Sequence, residues 1–439
     1  MKHNASPTHR SRRDLPVSKS AGRILPVLTA LLLLAPAVPA NATTTGRDGP
    51  VGWSTAWSAA HHHPVPGNDW DGPNWSVPGF ADQSVRQVVR VSAAGSLIRI
   101  RLSNRYGNQP LRLTGATAGR PISGAAVRPG TLLPVTFERR LSTTVPPGAE
   151  VTSDPVRLPV RALEALTVTL YFAGPTGPAT FHQGGLTSTY RSTGDHRFDH
   201  RAAAFTGETS QSWYHLAGVD VAGSPRTRGT VLTFGDSQTD GYGSTPGADN
   251  RYPDQLAERL VATGRPLAVA NAGISGNKLL ADSPCYGEQG VTRFRRDALG
   301  LPGVRVAVVL IGINDIGGGG YPDFGCGASP VVTAAQLIDG HRALIRAARA
   351  DRVAVVGVTM PPMKNAAGYD TAQNETLRDE VNRWIRGGGE YDAVVDLDRI
   401  LADPTDPDAL RPAYDQGDHL HLNDAGATVA AAAVAARIR

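Results

Sequence analysis

From about residue 230 to the C-terminus, short apolar runs alternate with segments long enough to be helices, and no other feature limits the possible folds as tightly. The apolar runs begin near Val231, Leu267, Val306, Val353 and Ala393, and helical stretches include Pro253–Val261, Thr333–Ala350, Thr371–Ile385 and Ala425–Ile438. Strands that alternate with helices are joined by crossovers, which implies a parallel sheet with helices on both faces. Five strands predict a three-layer, flavodoxin-like order, and an open sheet of this kind holds its reacting groups at the C-terminal strand ends.

The residues at those ends are polar and glycine-rich. Val231-Leu232-Thr233-Phe234 runs into Gly235-Asp236-Ser237-Gln238-Thr239-Asp240-Gly241, which puts a small hydroxyl at a sharp strand-to-helix turn. A Gly-Asp-Ser block alone means little, since surface turns are full of these residues. Its weight comes from three further blocks. Asn271-Ala272-Gly273-Ile274-Ser275-Gly276-Asn277 follows the second run, Gly312-Ile313-Asn314-Asp315 follows the third, and Asp418-His419-Leu420-His421-Leu422-Asn423 precedes an Ala-rich terminal segment. Ser, Gly, Asn and His blocks in this order resemble the SGNH hydrolases, also called the GDSL esterase/lipase family, over roughly residues 230–439. The G-x-S-x-G elbow of ordinary α/β-hydrolases is absent.

The resemblance implies ester cleavage through a covalent intermediate, which needs a nucleophile, a base, a group orienting that base, and donors for the developing oxyanion. Ser237 would attack the acyl carbonyl, His421 would take its proton, and Asp418 would fix the tautomer and orientation of His421. The oxyanion hole carries over as the backbone N–H groups of Ser237 and Gly276 with the side-chain amide of Asn314. Glycine suits position 276 because no Cβ blocks the approach of a backbone donor to substrate, and the Asn314 amide donates without carrying a charge. No cofactor and no metal are implied. Taken singly, each block also has a plainer reading: Asn314-Asp315 as a strand-end turn, Gly273 and Gly276 as close packing, Asp418 as a helix cap, although Asn423 or Asp424 is better placed to cap. One departure stands out. The family usually has proline after the histidine, where this chain has Leu422, and Asp415 with His419 forms a rival pair at a spacing of four.

The formal charge of +5 at pH 7 arises in the leader. Residues 1–42 hold Lys2, Arg10, Arg12, Arg13, Lys19 and Arg23 against Asp14 alone, so the remainder is neutral overall. The basic balance therefore gives no argument for nucleic-acid binding. A basic start, an apolar stretch from Ile24 to Leu34 and small residues at Ala35-Pro36-Ala37 and Val38-Pro39-Ala40 read as an export signal too short to serve as a stable membrane anchor. Ser11-Arg12-Arg13-Asp14-Leu15 resembles a twin-arginine signal, with Pro16 departing from it, so both twin-arginine and Sec export stay open. The only cysteines, Cys285 and Cys326, read as one disulfide in an exported protein, with two free thiols as the alternative.

Residues 43–222 have another texture. Ile98-Arg99-Ile100-Arg101-Leu102 and Leu166-Thr167-Val168-Thr169-Leu170-Tyr171-Phe172 alternate with period two, and turn clusters separate short runs. An antiparallel, jelly-roll-like β-sandwich is expected there, with residues 223–229 as linker and 230–439 as the catalytic domain. Trp53, Trp57, Trp70 and Trp75 crowd its start, as packing for the core or interface or, alternatively, as a platform for sugar rings. His61-His62-His63 reads as a flexible loop rather than a metal site, and Gly317-Gly318-Gly319-Gly320 as a lip of the active site, since no G-K-[ST] follows it. Together these features predict a secreted serine esterase acting on a small-molecule or polysaccharide ester, with carbohydrate-ester or short-chain substrates ahead of a lipase or phospholipase activity. The non-enzymatic alternative is a carbohydrate-binding protein with a decayed site. A nucleotide binder lacks its phosphate-cradling loop.

Overall fold

In the computed structural model, which describes residues 52–67, 72–265, 267–317, 326 and 329–438, the period-two runs of the N-terminal half are strands. The expected export signal, Trp70 and Gly318–Gly320 lie outside the described residues. Ile98, Ile100 and Leu102 on strand Leu97–Ser103 are buried together with Leu166, Val168, Leu170 and Phe172 on strand Glu164–Phe172. Alternate side chains of each strand thus enter one core, as the pleat dictates. Two antiparallel sheets enclose it. One runs Ser54–Ser58, Leu216–Ala222, Leu97–Ser103, Glu150–Thr152; the other runs Thr209–Ser210, Thr189–Thr193, Gln83–Val91, Glu164–Phe172, Gly115–Gly119, Leu133–Val135. Trp57 and Trp75 are buried in this core. Trp57 meets Trp213 edge-on with centroids 4.9 Å apart, and Trp75 stacks on Tyr214 at 5.6 Å. These two rings fill the sandwich and are not offered to a sugar.

Five strands of the C-terminal half form one parallel sheet: β1 (Thr230–Gly235), β2 (Ala268–Gly273), β3 (Val304–Leu310), β4 (Ala354–Val358) and β5 (Ala393–Val395). Their order is β2-β1-β3-β4-β5, the flavodoxin-like order expected from sequence. Consecutive residues of β1 enter opposite layers. Val231 packs with Leu256 of helix α1 (Tyr252–Ala262) and Val434 of α4 (Asp424–Ala435). Leu232 and Phe234 pack with Leu344 of α2 (Ala334–Ala350) and Val381 of α3 (Ala372–Gly387). Both faces are buried, which is why the strands read as continuous apolar runs. The order reverses between β1 and β3, and the crevice above their C-terminal ends is where such sheets bind ligands.

The edge of this sheet is not left bare. Strand Ser54–Ser58 of the sandwich lies along β2, where the Ser58 hydroxyl donates to the Asn271 carbonyl at 2.7 Å. Ser92 Oγ donates to the Val269 carbonyl at 2.7 Å and accepts from the Val269 N–H at 2.8 Å. These bonds satisfy backbone groups that an open edge would present to other chains. Asp48–Arg439 form one compact unit. Among the described residues, no helix is long and apolar enough to cross a membrane.

Candidate active site

The site is built on the turn that follows β1. Asp236 caps a one-turn helix, Ser237–Asp240, by accepting from the Gln238 N–H at 3.1 Å. Burial pushes the Asp236 carboxyl up to about 7, against that hydrogen bond, and the charge of Asp315 adds to the rise. Ser237 is thereby the first residue of a helix at the sheet's C-terminal rim, only 6% exposed.

His421 reaches this serine across 184 residues of sequence. Its Nε2 lies 2.7 Å from Ser237 Oγ, and its Nδ1 lies 2.6 Å from Asp418 Oδ2. A carboxylate only accepts, so Nδ1 carries the proton and Nε2 is left to accept from the serine hydroxyl. The other carboxylate oxygen of Asp418 accepts from the N–H groups of Leu420 at 3.0 Å and His421 at 2.8 Å. Burial alone would raise Asp418. The hydrogen bond from the His421 ring, with those two N–H donors, outweighs it and holds the carboxyl well below the usual range. The cap of α4 is Asn423, whose side chain accepts from the N–H groups of Ala425 and Gly426, so Asp418 is not needed there. The Tyr242 ring tilts over His421 with centroids 4.6 Å apart. His419 is turned away and half exposed, with Nδ1 2.7 Å from Asp415 Oδ2.

Two loops close around Ser237. The loop after β2 passes so near the serine helix that a Cβ at Gly273 would lie 2.2 Å from the Asp240 nitrogen. Gly276 has φ +74°, and a Cβ there would lie 2.5 Å from the Tyr286 ring, so both conformation and space select glycine. The loop after β3 brings Asn314 alongside: its Nδ2 donates to the Asn277 carbonyl at 3.1 Å, one residue past Gly276. Asp315 accepts from the N–H groups of Leu279 at 2.6 Å and Leu280 at 2.9 Å, which locks the two loops together. Burial pushes its carboxyl up to about 6 against these bonds. Gly317 ends the helix Ile313–Gly317 beneath the Tyr369 ring.

Several residues of the site carried no signal in the sequence. The Tyr369 hydroxyl donates to Asn314 Oδ1 at 2.6 Å, which fixes which way the Asn314 amide faces. Arg293, fully buried, donates to the carbonyls of Gly235 at 2.7 Å and Ala272 at 2.8 Å and to Asn277 Oδ1 at 2.8 Å. It thus ties the ends of β1 and β2 to the loop carrying Gly276. Neither lies in a block of distinctive spacing, and only the fold brings them to the serine. The flexible-loop reading of His61-His62-His63 needs correction: His61 and His62 are buried, because His62 packs its ring on Phe181 at 4.5 Å and pairs backbone with it. Cys285 and Cys326 form a disulfide. Among the described residues, no group of three or more His, Cys, Asp or Glu side chains is arranged to hold a metal ion.

Residues 233–429 match the family model of GDSL-like lipases and acylhydrolases. This region is a GDSL-like lipase/acylhydrolase domain. A domain of this family supports a carboxylic ester hydrolase, as the four blocks implied. No curated protein matches the chain. Among solved structures, the GDSL domain is similar to an acetyl xylan esterase at 22% identity, covering 47% of this chain and 97% of that one with a TM-score of 0.35. It is also similar to a variant of an acetyl-xylooligosaccharide esterase from Geobacillus at 20% identity, covering 48% and 94% with a TM-score of 0.36. A GDSL-like lipase from Bacteroides thetaiotaomicron is 15% identical, with coverage of 47% and 86% and a TM-score of 0.33.

Proposed function

We propose that the chain is a secreted serine esterase whose nucleophile is Ser237, with His421 as its base and Asp418 as the group orienting that base. The observation that carries this reading is the unbroken hydrogen-bond chain from Ser237 Oγ through His421 to Asp418. Ser237 Oγ bonds to the acyl carbon as its proton passes to His421 Nε2, and collapse of the tetrahedral intermediate expels the alcohol, which takes that proton. Water then repeats the sequence on the acyl-enzyme and frees the acid. The Ser237 and Gly276 N–H groups and the Asn314 amide receive the oxyanion, the amide held in the donating orientation by Tyr369.

The substrate we favour is a carbohydrate ester or another ester with a short acyl chain. Half-buried Tyr242 and Tyr286 and buried Tyr369 stand around the site, a wall of aromatic rings and polar groups suited to a sugar alcohol. The basic, apolar and small-residue segments of the leader support secretion. A fluorophosphonate probe should label the folded protein at Ser237 and leave Ser237→Ala unmodified. Absence of labelling would favour a non-catalytic binding protein. Acetylated xylan and p-nitrophenyl acetate should be cleaved well ahead of p-nitrophenyl palmitate and phosphatidylcholine, and the reverse ranking would make the enzyme a lipase.

A further inference from the structure

The β-sandwich sends one side chain into the site. His182 lies on the short strand Phe181–His182, which pairs with Trp213–Tyr214, and its ring stacks on Trp213 with centroids 5.4 Å apart. Nδ1 is 2.7 Å from the Ala60 carbonyl, and Nε2 is 2.9 Å from Oδ1 of Asp240, the last residue of the helix that begins at Ser237. Both partners are acceptors, so both ring nitrogens donate and the ring is an imidazolium against a carboxylate. Asp240 Oδ2 accepts from Ser275 twice, from its N–H at 2.9 Å and its hydroxyl at 2.7 Å. His182 and Asp240 are each only 3% exposed. The sandwich backbone closes over the carboxylate as well, since a Cβ at Gly184 would lie 2.7 Å from Asp240 Oδ2.

Ser275 immediately precedes Gly276. A carboxylate clamped from one side by His182 therefore sets, from its other side, the position of the peptide leading to the Gly276 N–H. Donors to an oxyanion act only over a narrow range of distance, so displacements well under 1 Å at this turn matter to the rate. We infer that His182 is a positioning residue of the esterase: through Asp240 and Ser275 it holds the Gly276 turn against the Ser237 helix, so that the sandwich completes the oxyanion hole. The inference rests on the assignment of Ser237 and Gly276 made above. It gives the sandwich a task in the chemistry itself.

The test uses the full chain and p-nitrophenyl acetate, with kcat and KM measured separately and folding of each variant checked by thermal unfolding. His182→Ala should lower kcat by about 10–10²-fold with KM within about threefold, because the lost contribution is made in the transition state. His182→Gln, which keeps a donor toward Asp240, should recover kcat to within about fivefold of the parent, a rescue not expected from loss of packing alone. A folded His182→Ala variant with kcat within about twofold of the parent, or with only KM raised, would overturn the inference. Should His182→Ala fail to fold, the isosteric Asp240→Asn takes its place under the same two criteria. Ser237→Ala separates the two layers of argument. If it retains turnover, the site assignment has failed; if it is dead while the His182 and Asp240 variants behave as the parent, only the positioning role has.

Discussion

His419 and His421 stand two positions apart, each bonded to its own aspartate, and geometry divides their roles. His421 is held between Ser237 and Asp418, whereas His419, with φ +62°, projects toward solvent beside Asp415. His421→Ala should lose about 10³-fold or more in kcat, and His419→Ala less than about threefold; steady-state kinetics on one short-chain ester checks both. Tyr369 offers a finer test. Its hydroxyl is what tells the two ends of the Asn314 amide apart, so Tyr369→Phe should lower kcat by about tenfold with little change in KM. A variant with raised KM and unchanged kcat would mean that Tyr369 contacts substrate instead. The same contrast explains what a single sequence discloses. Ser237 and Asn314 stood out because they sit in polar, glycine-rich blocks at strand ends, and His421 because an aspartate stands three residues before it, ahead of the terminal helix. Tyr369, Arg293 and His182 did not, because a tyrosine in a turn, an arginine in a short helix or a histidine in a short strand looks the same whether or not the fold turns it inward.

At the level of elements, the five parallel strands were readable because burial on both faces leaves uninterrupted apolar runs, and α2 because Thr333 and Gln336 form a capping box ahead of an amphipathic stretch. The antiparallel pair Ala402–Asp403 and Asp406–Leu410 carries no sequence signal, since Asp406-Pro407-Asp408 has neither alternation nor β propensity. The short helix Ile313–Gly317 is hidden for a similar reason, its glycine and asparagine reading as turn. The loop between β2 and β3 matters most for function, and one covalent link braces it. Cys285 bonds to Cys326, 41 residues on, and the next residue, Tyr286, packs on Gly276 while its carbonyl accepts from Asn277 Nδ2 at 2.7 Å. In the chain-entropy model a loop of this length is worth about 4 kcal/mol. Replacing both cysteines with serine should therefore lower the urea-unfolding free energy by about 3–4 kcal/mol. A loss below about 1 kcal/mol would show that the bridge closes a loop already ordered without it.

For the molecule as a whole, both halves of Asp48–Arg439 bury titratable groups, and these bind stability to pH in opposing senses. Burial lowers His62 to about 3, helped by the nearby charge of His182, and lowers His215 and His341 to about 4. Each is neutral in the fold, so the unfolded chain takes up its proton first and stability declines as pH falls below about 6.5. Asp236 and Asp315, raised to about 7 and about 6 by burial, act the other way, because the folded state holds their protons longer. These contributions offset one another, and the total pH dependence identifies none of them. His182 can be isolated by difference. Burial disfavours its charge, but Asp240 more than compensates and raises it above the ordinary value, with Arg251 opposing; His61 and His62 also face it. A histidine raised in the fold stabilises fully below its unfolded value of about 6.5, and that contribution is lost as pH rises through the raised folded value. The stability gap between the parent and His182→Gln should therefore be widest near pH 5.5–6 and close toward alkaline pH, at up to about 1.4 kcal/mol per pH unit. Urea unfolding of both proteins across pH 5.5–9 measures it. A gap that instead shrinks as pH falls below about 6.5 would mean His182 is neutral in the fold, bonded to Asp240 as a dipole rather than as an ion, and the link between sandwich and serine would then be one of shape alone.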